Sequence, residues 1–561
     1  MKKIFALLSA TTIVTSLAFS AGSIQSSGDI LAQQKGFRDR SIYNKSKASK
    51  AVPFHASSDS SIVPDIKSFK LNSIVMKGND SFDKAMFWAV FDEYLGKTVT
   101  GKDAVSIMKK VTRIYTDNGY LLPVVKVEYV APGSFKVNVI EGKIRNVDLV
   151  VSKDYEDEVV NNDLLQKYID KILESAPAKT KDIQRYLLLI NKIPGYSASY
   201  ELKSIESGER KQGEVADLVL EIERAKLDLT FDIDDYGARD LGMYQFSAFS
   251  HLYNPTKHND SLIAGYTTSN HPQKLKVMTA GYLKRLNSYG TSASVLWSYA
   301  LDDGFSNGAK DDKNRSIKGQ LSQYLVLNNK NSVRMDVGLN SQNVKQYQPG
   351  NLLDSYNYLQ GFVGGKIKHK DFLQGENWLD PYAYFTLGRA HLNRSSSAIT
   401  DFPQTFQSFK VSYFRDQPLP KDFSIFTQLI WQGSENNLPP EQQFFVDGRT
   451  IGRGYQPGVM SSNQGINADI ELRYTKDVEK KYLNQIQFFG YYDISSFSKL
   501  QLQTSKSVLN SAGGGFRLFM PYDVRAEFEI DFPSARQLTV GGLTQRMPTR
   551  YQFLVGKSFR W

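Results

Sequence analysis

The chain has no cysteine, which excludes disulfide bridges, thiolate nucleophiles and cysteine-ligated metals, so its fold rests on packing and hydrogen bonding. Its six histidines show no HExxH or comparable ligand spacing, and no nucleophile motif is found, so neither a metal, nor a cofactor, nor an enzyme is expected. Gly96, Lys97 and Thr98 look like the end of a phosphate-binding loop, yet Phe91 stands where its first glycine belongs and the run follows a helical pattern. Past the first residues there is no run of about 18 apolar residues, so a membrane could be crossed only by a closed sheet. The formal charge is +11, but the basic residues are spread along the chain, and nucleic-acid binding is not expected.

What is present is length and aromatic content. A chain of 561 residues exceeds one ordinary domain, and 31 Tyr, 33 Phe and 40 Gly suit barrel strands that end in aromatic girdles. Lys2 and Lys3 precede an apolar run from Ile4 to about Phe19 and the small residues Ser20, Ala21 and Gly22, which reads as a secretory signal over residues 1–21. Asp29 to Ser41 is weakly amphipathic and suggests a short helix within 22–45. A Lys-, Ser- and Pro-rich linker follows over 46–66.

Residues 67–144 read as a small βααββ domain. A strand through Ile74 and Met76 ends at Gly78, and a helix is expected over about Ser81 to Leu95. A second helix, about Gly101 to Asn118, carries Ala104, Ile107, Val111 and Tyr115 at helical spacing and stops at Gly119. Val125, Val127 and Tyr129, then Phe135, Val137 and Val139, form two alternating strands turned by Pro132 and Gly133. The order repeats over 145–224, with helices at Asp163 to Leu173 and Ile183 to Ile193, the latter closed by Pro194 and Gly195.

From 225 to 561 the helical period gives way to period 2. Val524, Ala526, Phe528, Ile530 and Phe532 alternate with Asp523, Arg525, Glu527, Glu529 and Asp531; the stretches around Val333, Ala293 and Ala468 behave alike. One face must lie in lipid or core and the other in water. A soluble sandwich also alternates, but the export signal and roughly 340 residues of repeated strand favour a transmembrane antiparallel barrel, of about sixteen strands at about 21 residues each. The chain ends with Tyr551, Phe553, Val555, Phe559 and Trp561 on one face, and Phe559 with Trp561 reads as a barrel-assembly signal. Gly513, Gly514 and Gly515 read as a bend or close approach in a strand.

Several motifs resemble the two-partner secretion translocators that export filamentous haemagglutinins, haemolysins and contact-dependent inhibition toxins. In the first small domain these are Tyr115 to Tyr120 (YTDNGY, with Gly119 and Tyr120) and the strand ending in Glu141 and Gly142, similar to that family's first POTRA domain. In the second, Tyr186 to Gly195 (YLLLINKIPG) is similar to its second POTRA domain. Asp235, Tyr236 and Gly237, running on to Asn254 and Pro255, resemble the first barrel hairpin, where the family usually has Asn in place of Asp235. Gly452, Arg453, Gly454 and Tyr455 resemble the tip of a loop that folds back into the barrel, the family usually having Val in place of Gly452.

The resemblance implies two POTRA domains ahead of the barrel and an N-terminal helix that plugs it. It points to Asp493 and Gly490, in the run FGYYD, as barrel-wall partners of the loop, with an Arg453–Asp493 ion pair. It further implies an outer-membrane location with the POTRA domains in the periplasm, and as partners a secreted exoprotein with an N-terminal secretion domain, outer-membrane lipids and the barrel assembly machinery. An insertase for other barrels and a passive porin are the alternatives.

Overall fold

The computed structural model describes residues 66–561 except 131, 206–212, 239–240, 304–310, 349–350, 395–401, 499–503, 505–506 and 541–542. The expected signal peptide, the 22–45 helix and all but the last residue of the linker lie outside the described residues. Two compact units divide the described chain near Arg224.

In the first unit, β1 (Phe69–Lys70) pairs with β3 (Thr98–Val99), while β2 (Ser73–Lys77) and β4 (Pro123–Val130) flank β5 (Ser134–Glu141), the former parallel and the latter antiparallel to it. The Gly101–Asp117 helix begins where the Asp103 carboxylate accepts the Thr100 amide at 2.7 Å, the reciprocal half of a capping box. It lays Ala104, Ile107, Val111 and Tyr115 on Phe135, Val137 and Val139 to make one buried core. The expected helix over 81–95 is shorter than its apolar pattern suggests. A 3-10 turn, Lys84–Phe87, leads into a single α segment, Trp88–Asp92, in which Phe87 and Phe91 are buried, Val90 packs partly against the core, and Trp88 and Met86 stay exposed.

The same plan recurs in β6 (Lys143–Val151), β7 (Tyr196–Ser204) and β8 (Glu214–Arg224), with β8 central, parallel to β6 and antiparallel to β7. The Asn162 side chain caps the Asp163–Leu173 helix, accepting from the amides of Leu164 and Leu165 at 3.1 and 3.0 Å. The next helix runs Thr180–Ile190 and ends before Pro194, since Asn191 turns the chain. Its carboxamide donates to the Leu187 and Ala198 carbonyls and accepts from the Ala198 amide. Pro194 and Gly195 follow that stop, Gly195 at φ +82°.

Among the described residues of the second unit, sixteen antiparallel strands form a closed barrel, in which the last, Arg550–Arg560, pairs with the first, Leu227–Asp234. The side chains alternate as the period-2 reading requires, with polarity inverted relative to a soluble core. Phe528 and Phe532 face outward while Glu527, Glu529 and Asp531 are buried inward, and Met335, Val337 and Leu339 face out while Asp336 is buried. The glycines of the Val508–Met520 strand allow close approach, since a Cβ on Gly515 would lie 1.9 Å from the Phe528 carbonyl oxygen.

Candidate functional site

Between the Phe423–Gly433 and Gln464–Lys480 strands the chain does not stay outside the barrel. Every residue from Leu438 to Met460 except Gln456 is buried, and Phe444–Phe445 pairs with Ser461–Ser462 as a small ribbon. The tip is wound by Asp447, whose carboxylate accepts the amides of Arg449, Thr450 and Ile451 at 2.9, 2.7 and 2.8 Å. Gly448 and Gly452 take φ +71° and +69°, a region that a β-branched residue avoids, so glycine at 452 suits this turn.

Arg453 is 1% exposed and surrounded by carboxylates from two strands. Its Nη2 lies 2.8 Å from Glu529, and its Nη1 lies 3.0 Å from Glu471 and 3.3 Å from Asp469. Its guanidinium also lies over the Tyr491 ring, 3.3 Å from the centroid. Glu471 is shared further, meeting Arg473 at 2.7 Å and Arg517 at 2.8 Å, while Arg517 reaches Glu527 at 3.1 Å. Burying this many charges is tolerable only because each is paired and hydrogen-bonded.

The expected Arg453–Asp493 ion pair is not formed. Asp493 instead accepts the Gly452 amide at 3.0 Å and the Ser511 hydroxyl, holding the loop by its backbone one residue before the arginine. The guanidinium extends past it to Glu529 and Glu471, where two carboxylates can share its fork. Gly490 is also displaced from its expected role. It stands on the outward face opposite Gly514, because side chains on its strand alternate and Phe489, Tyr491 and Asp493 take the lumen side.

The other tip residues hold the loop to the wall. Gly454 donates its amide to Ser511 at 3.0 Å, and a Cβ there would lie 2.7 Å from Ser511 Cβ. Tyr455 is buried among Val446, Ile451, Val459 and Leu509, donates its hydroxyl proton to the Asn510 carbonyl at 3.0 Å and accepts the Ala535 amide at 3.1 Å. A second anchor lies at the loop's base, where Glu441 accepts from the Tyr356 and Tyr358 hydroxyls at 2.8 and 2.7 Å. Sequence reasoning missed Glu471, Glu529 and Tyr491 as partners of the loop tip, Arg517 as a second cation on Glu471, and Glu441 as the loop-base residue held by Tyr356 and Tyr358. The alternating carboxylates around 469 and 529 were the available signal, being lumen charges that need a cation.

In the first unit, Glu141 accepts from Tyr115 Oη at 2.8 Å, from Ser81 Oγ at 2.6 Å and from the Ser81 amide at 2.8 Å, tying strand to helix and loop. Burial, then the Glu141 bond, pushes the Tyr115 phenol above its usual range. Gly119 takes φ +83° and accepts the Thr180 amide at 2.9 Å, while Tyr120 packs on Tyr115 and Phe82 and faces Lys179. Leu121 donates to the Ala178 carbonyl at 2.8 Å, and Ala178 donates to the Gly142 carbonyl at 2.9 Å. A Cβ on Gly142 would lie 2.2 Å from the Leu122 carbonyl oxygen, so this glycine permits the close junction between the two small folds. Phe559 and Trp561 stack outward with centroids 5.6 Å apart.

A closed barrel with an apolar exterior, a charged lumen and an inward loop, preceded by two POTRA-type folds, defines an outer-membrane transporter-type barrel with its POTRA domains in the periplasm. The chain belongs to the haemolysin secretion/activation protein family ShlB/FhaC/HecB, whose family model matches residues 216–518; the ShlB-type POTRA domain matches residues 69–142. The heme/hemopexin transporter protein HuxB of Haemophilus influenzae (strain 86-028NP) is 22% identical over 438 residues, covering 75% of each chain. The structure of CdiB from Escherichia coli superposes with a TM-score of 0.72 at 17% identity, covering 96% of this chain and all of that one. CdiB from Acinetobacter baumannii gives 0.59 at 12% identity, over 95% of this chain and all of the other.

Proposed function

We propose that this chain is an outer-membrane translocator that captures one unfolded exoprotein in the periplasm and conducts it through the barrel. The observation that carries the reading is the loop held in the lumen by Arg453, in a chain whose family is one of secretion and activation proteins. The relatives named as transporters of heme/hemopexin and as CdiB support the same reading. The chain divides, on this proposal, into a signal at 1–21, a plug helix at 22–45, a linker at 46–66, POTRA domains at 67–144 and 145–224, and the barrel at 225–561.

Capture proceeds by strand addition. The sheet edges β2 and β4 in the first fold, and β6 and β7 in the second, offer main-chain donors and acceptors to an extended secretion domain at the client's N-terminus. Binding and conduction need no catalytic group, and the function proposed is not enzymatic. Phe559 and Trp561 serve recognition by the barrel assembly machinery. Deleting residues 22–45 is expected to raise channel conductance, and unchanged conductance would remove the plug from the scheme.

The deciding experiment is quantitative proteomics of the surface and medium of a deletion strain complemented with wild type or Arg453→Ala. Loss of one large protein, restored only by wild type, supports a dedicated exporter. Broad depletion of barrels would instead mean an insertase, and no change a passive porin.

A further inference from the structure

The inward loop also reaches the place where the barrel closes on itself. The closing ladder runs from Asp228–Arg560 to Asp234–Leu554, with main-chain bonds between Leu227 and Trp561 and between Asp235 and Phe553 at its ends, and is far shorter than the ladder between the Asn331–Gln348 and Asn351–Lys370 strands. The first strand is short, so fewer main-chain bonds hold it to the last than join those long strands, and the loop tip touches both sides of that seam.

On the last strand, Arg550 Nη1 donates to the carbonyl oxygens of Gly448 at 2.9 Å, Arg453 at 3.0 Å and Tyr455, bracketing the tip from within the barrel wall. Just past the first strand, Tyr236 is buried against Leu554 of the last strand, and the loop's Arg449 lies over its ring, 4.4 Å from the centroid. Between them the Asp235 carboxylate accepts the Phe553 amide at 2.7 Å and the Asp235 amide donates to the Phe553 carbonyl at 3.3 Å, continuing the seam past the ladder. We propose that the docked loop tip staples the seam, with Arg550 and Tyr236 as positioning residues on its two sides. This goes beyond the export reading, and its readout does not use secretion.

The absence of native cysteine supplies a clean test on the full-length chain. Thr230 and Ser558 face each other across the seam with hydroxyl oxygens 3.1 Å apart, so a Thr230→Cys, Ser558→Cys pair can lock it. Ser298 and Ser316 face each other on a distant ladder and provide a control lock through Ser298→Cys with Ser316→Cys. The readout is the temperature at which the folded barrel loses its compact mobility in detergent electrophoresis.

Arg550→Gln and Tyr236→Leu are each expected to lower that temperature by several degrees. The oxidised seam lock should restore it, and the distant lock should not. Arg550→Lys, which keeps the charge on a shorter side chain that does not reach as far toward the tip carbonyls, is a milder arm carrying the same expectation if Arg550→Gln does not assemble. An unchanged transition overturns the staple, as does a lowered one that both locks, or neither, restore.

Discussion

One alternation rule governs the sheets of both units, with opposite results. On β5, Phe135, Val137 and Val139 are buried and the residues between them are more exposed; on the Val524–Pro533 strand, Glu527, Glu529 and Asp531 are buried and Phe528 and Phe532 are exposed. The backbone geometry is the same and the solvents on its two faces have changed places. Each unit is therefore held by a different force. The small folds rest on apolar area removed from water, and the lumen rests on Arg453, Arg473 and Arg517 neutralising carboxylates that the barrel wall has turned inward.

The largest effects should come from removing the centre of each force. Arg453→Ala leaves Glu471, Glu529 and Asp469 without their shared cation and should cost about 3–5 kcal/mol of loop docking. Phe135→Ala should cost a similar amount, about 3–5 kcal/mol, through a cavity in the first small fold. The two losses differ in what repairs them. Adding Glu529→Gln to Arg453→Ala should recover part of the loss, because the orphaned charge goes with it. No polar substitution should repair the cavity. Thermal unfolding of the three variants in detergent tests this, and no gain from Glu529→Gln would contradict the electrostatic account.

A smaller effect isolates the exchange of solvents. Val337 on the barrel and Val150 on β6 are almost equally exposed, at 46% and 49%. Val337→Arg puts a charge into hydrocarbon and should cost about 2–4 kcal/mol, whereas Val150→Arg meets water and should stay within about 0.5 kcal/mol. Equal costs, measured by urea titration of folding into lipid vesicles, would mean that the outward face is not in a bilayer.

The comparison also separates what was legible in the sequence from what was not. Period 2 revealed strands and inward charges, because a sheet side chain's face depends only on its neighbours along the chain, while the expectation of about sixteen strands came from length alone. Helix limits were legible at Asn162, whose side chain caps the helix it precedes, and misplaced at Trp88 and at Ile193, where Asn191 had already turned the chain. The tip residues were legible as a motif, but their partners were not. Which carboxylate meets Arg453 depends on strand register and on how far the loop descends, and these bring Glu471 and Glu529 from strands far apart in sequence. Gly490 shows the same limit from the other side, since a one-residue step turns a lumen position into an outward one.

One further effect belongs to the small folds alone. Burial, opposed by the nearby Arg224 guanidinium, pushes the Tyr196 phenol up to about 12, against an ordinary value of about 10. Above pH 10 the unfolded chain releases this proton and the folded one keeps it, so the stability present below pH 10 is lost progressively up to about pH 12, by an amount on the order of 2 kcal/mol. Tyr196 also accepts from Asn162 Nδ2 at 3.2 Å, so the loosening should centre on the Asp163–Leu173 helix that Asn162 caps. Hydrogen exchange on the full-length protein between pH 9 and 11, corrected for its intrinsic pH dependence, should show that helix opening while the barrel strands, as internal reference, keep their protection. Tyr196→Phe should remove the pH dependence and leave the helix closed; if the helix of that variant opens over the same range, the phenol is not the group that titrates.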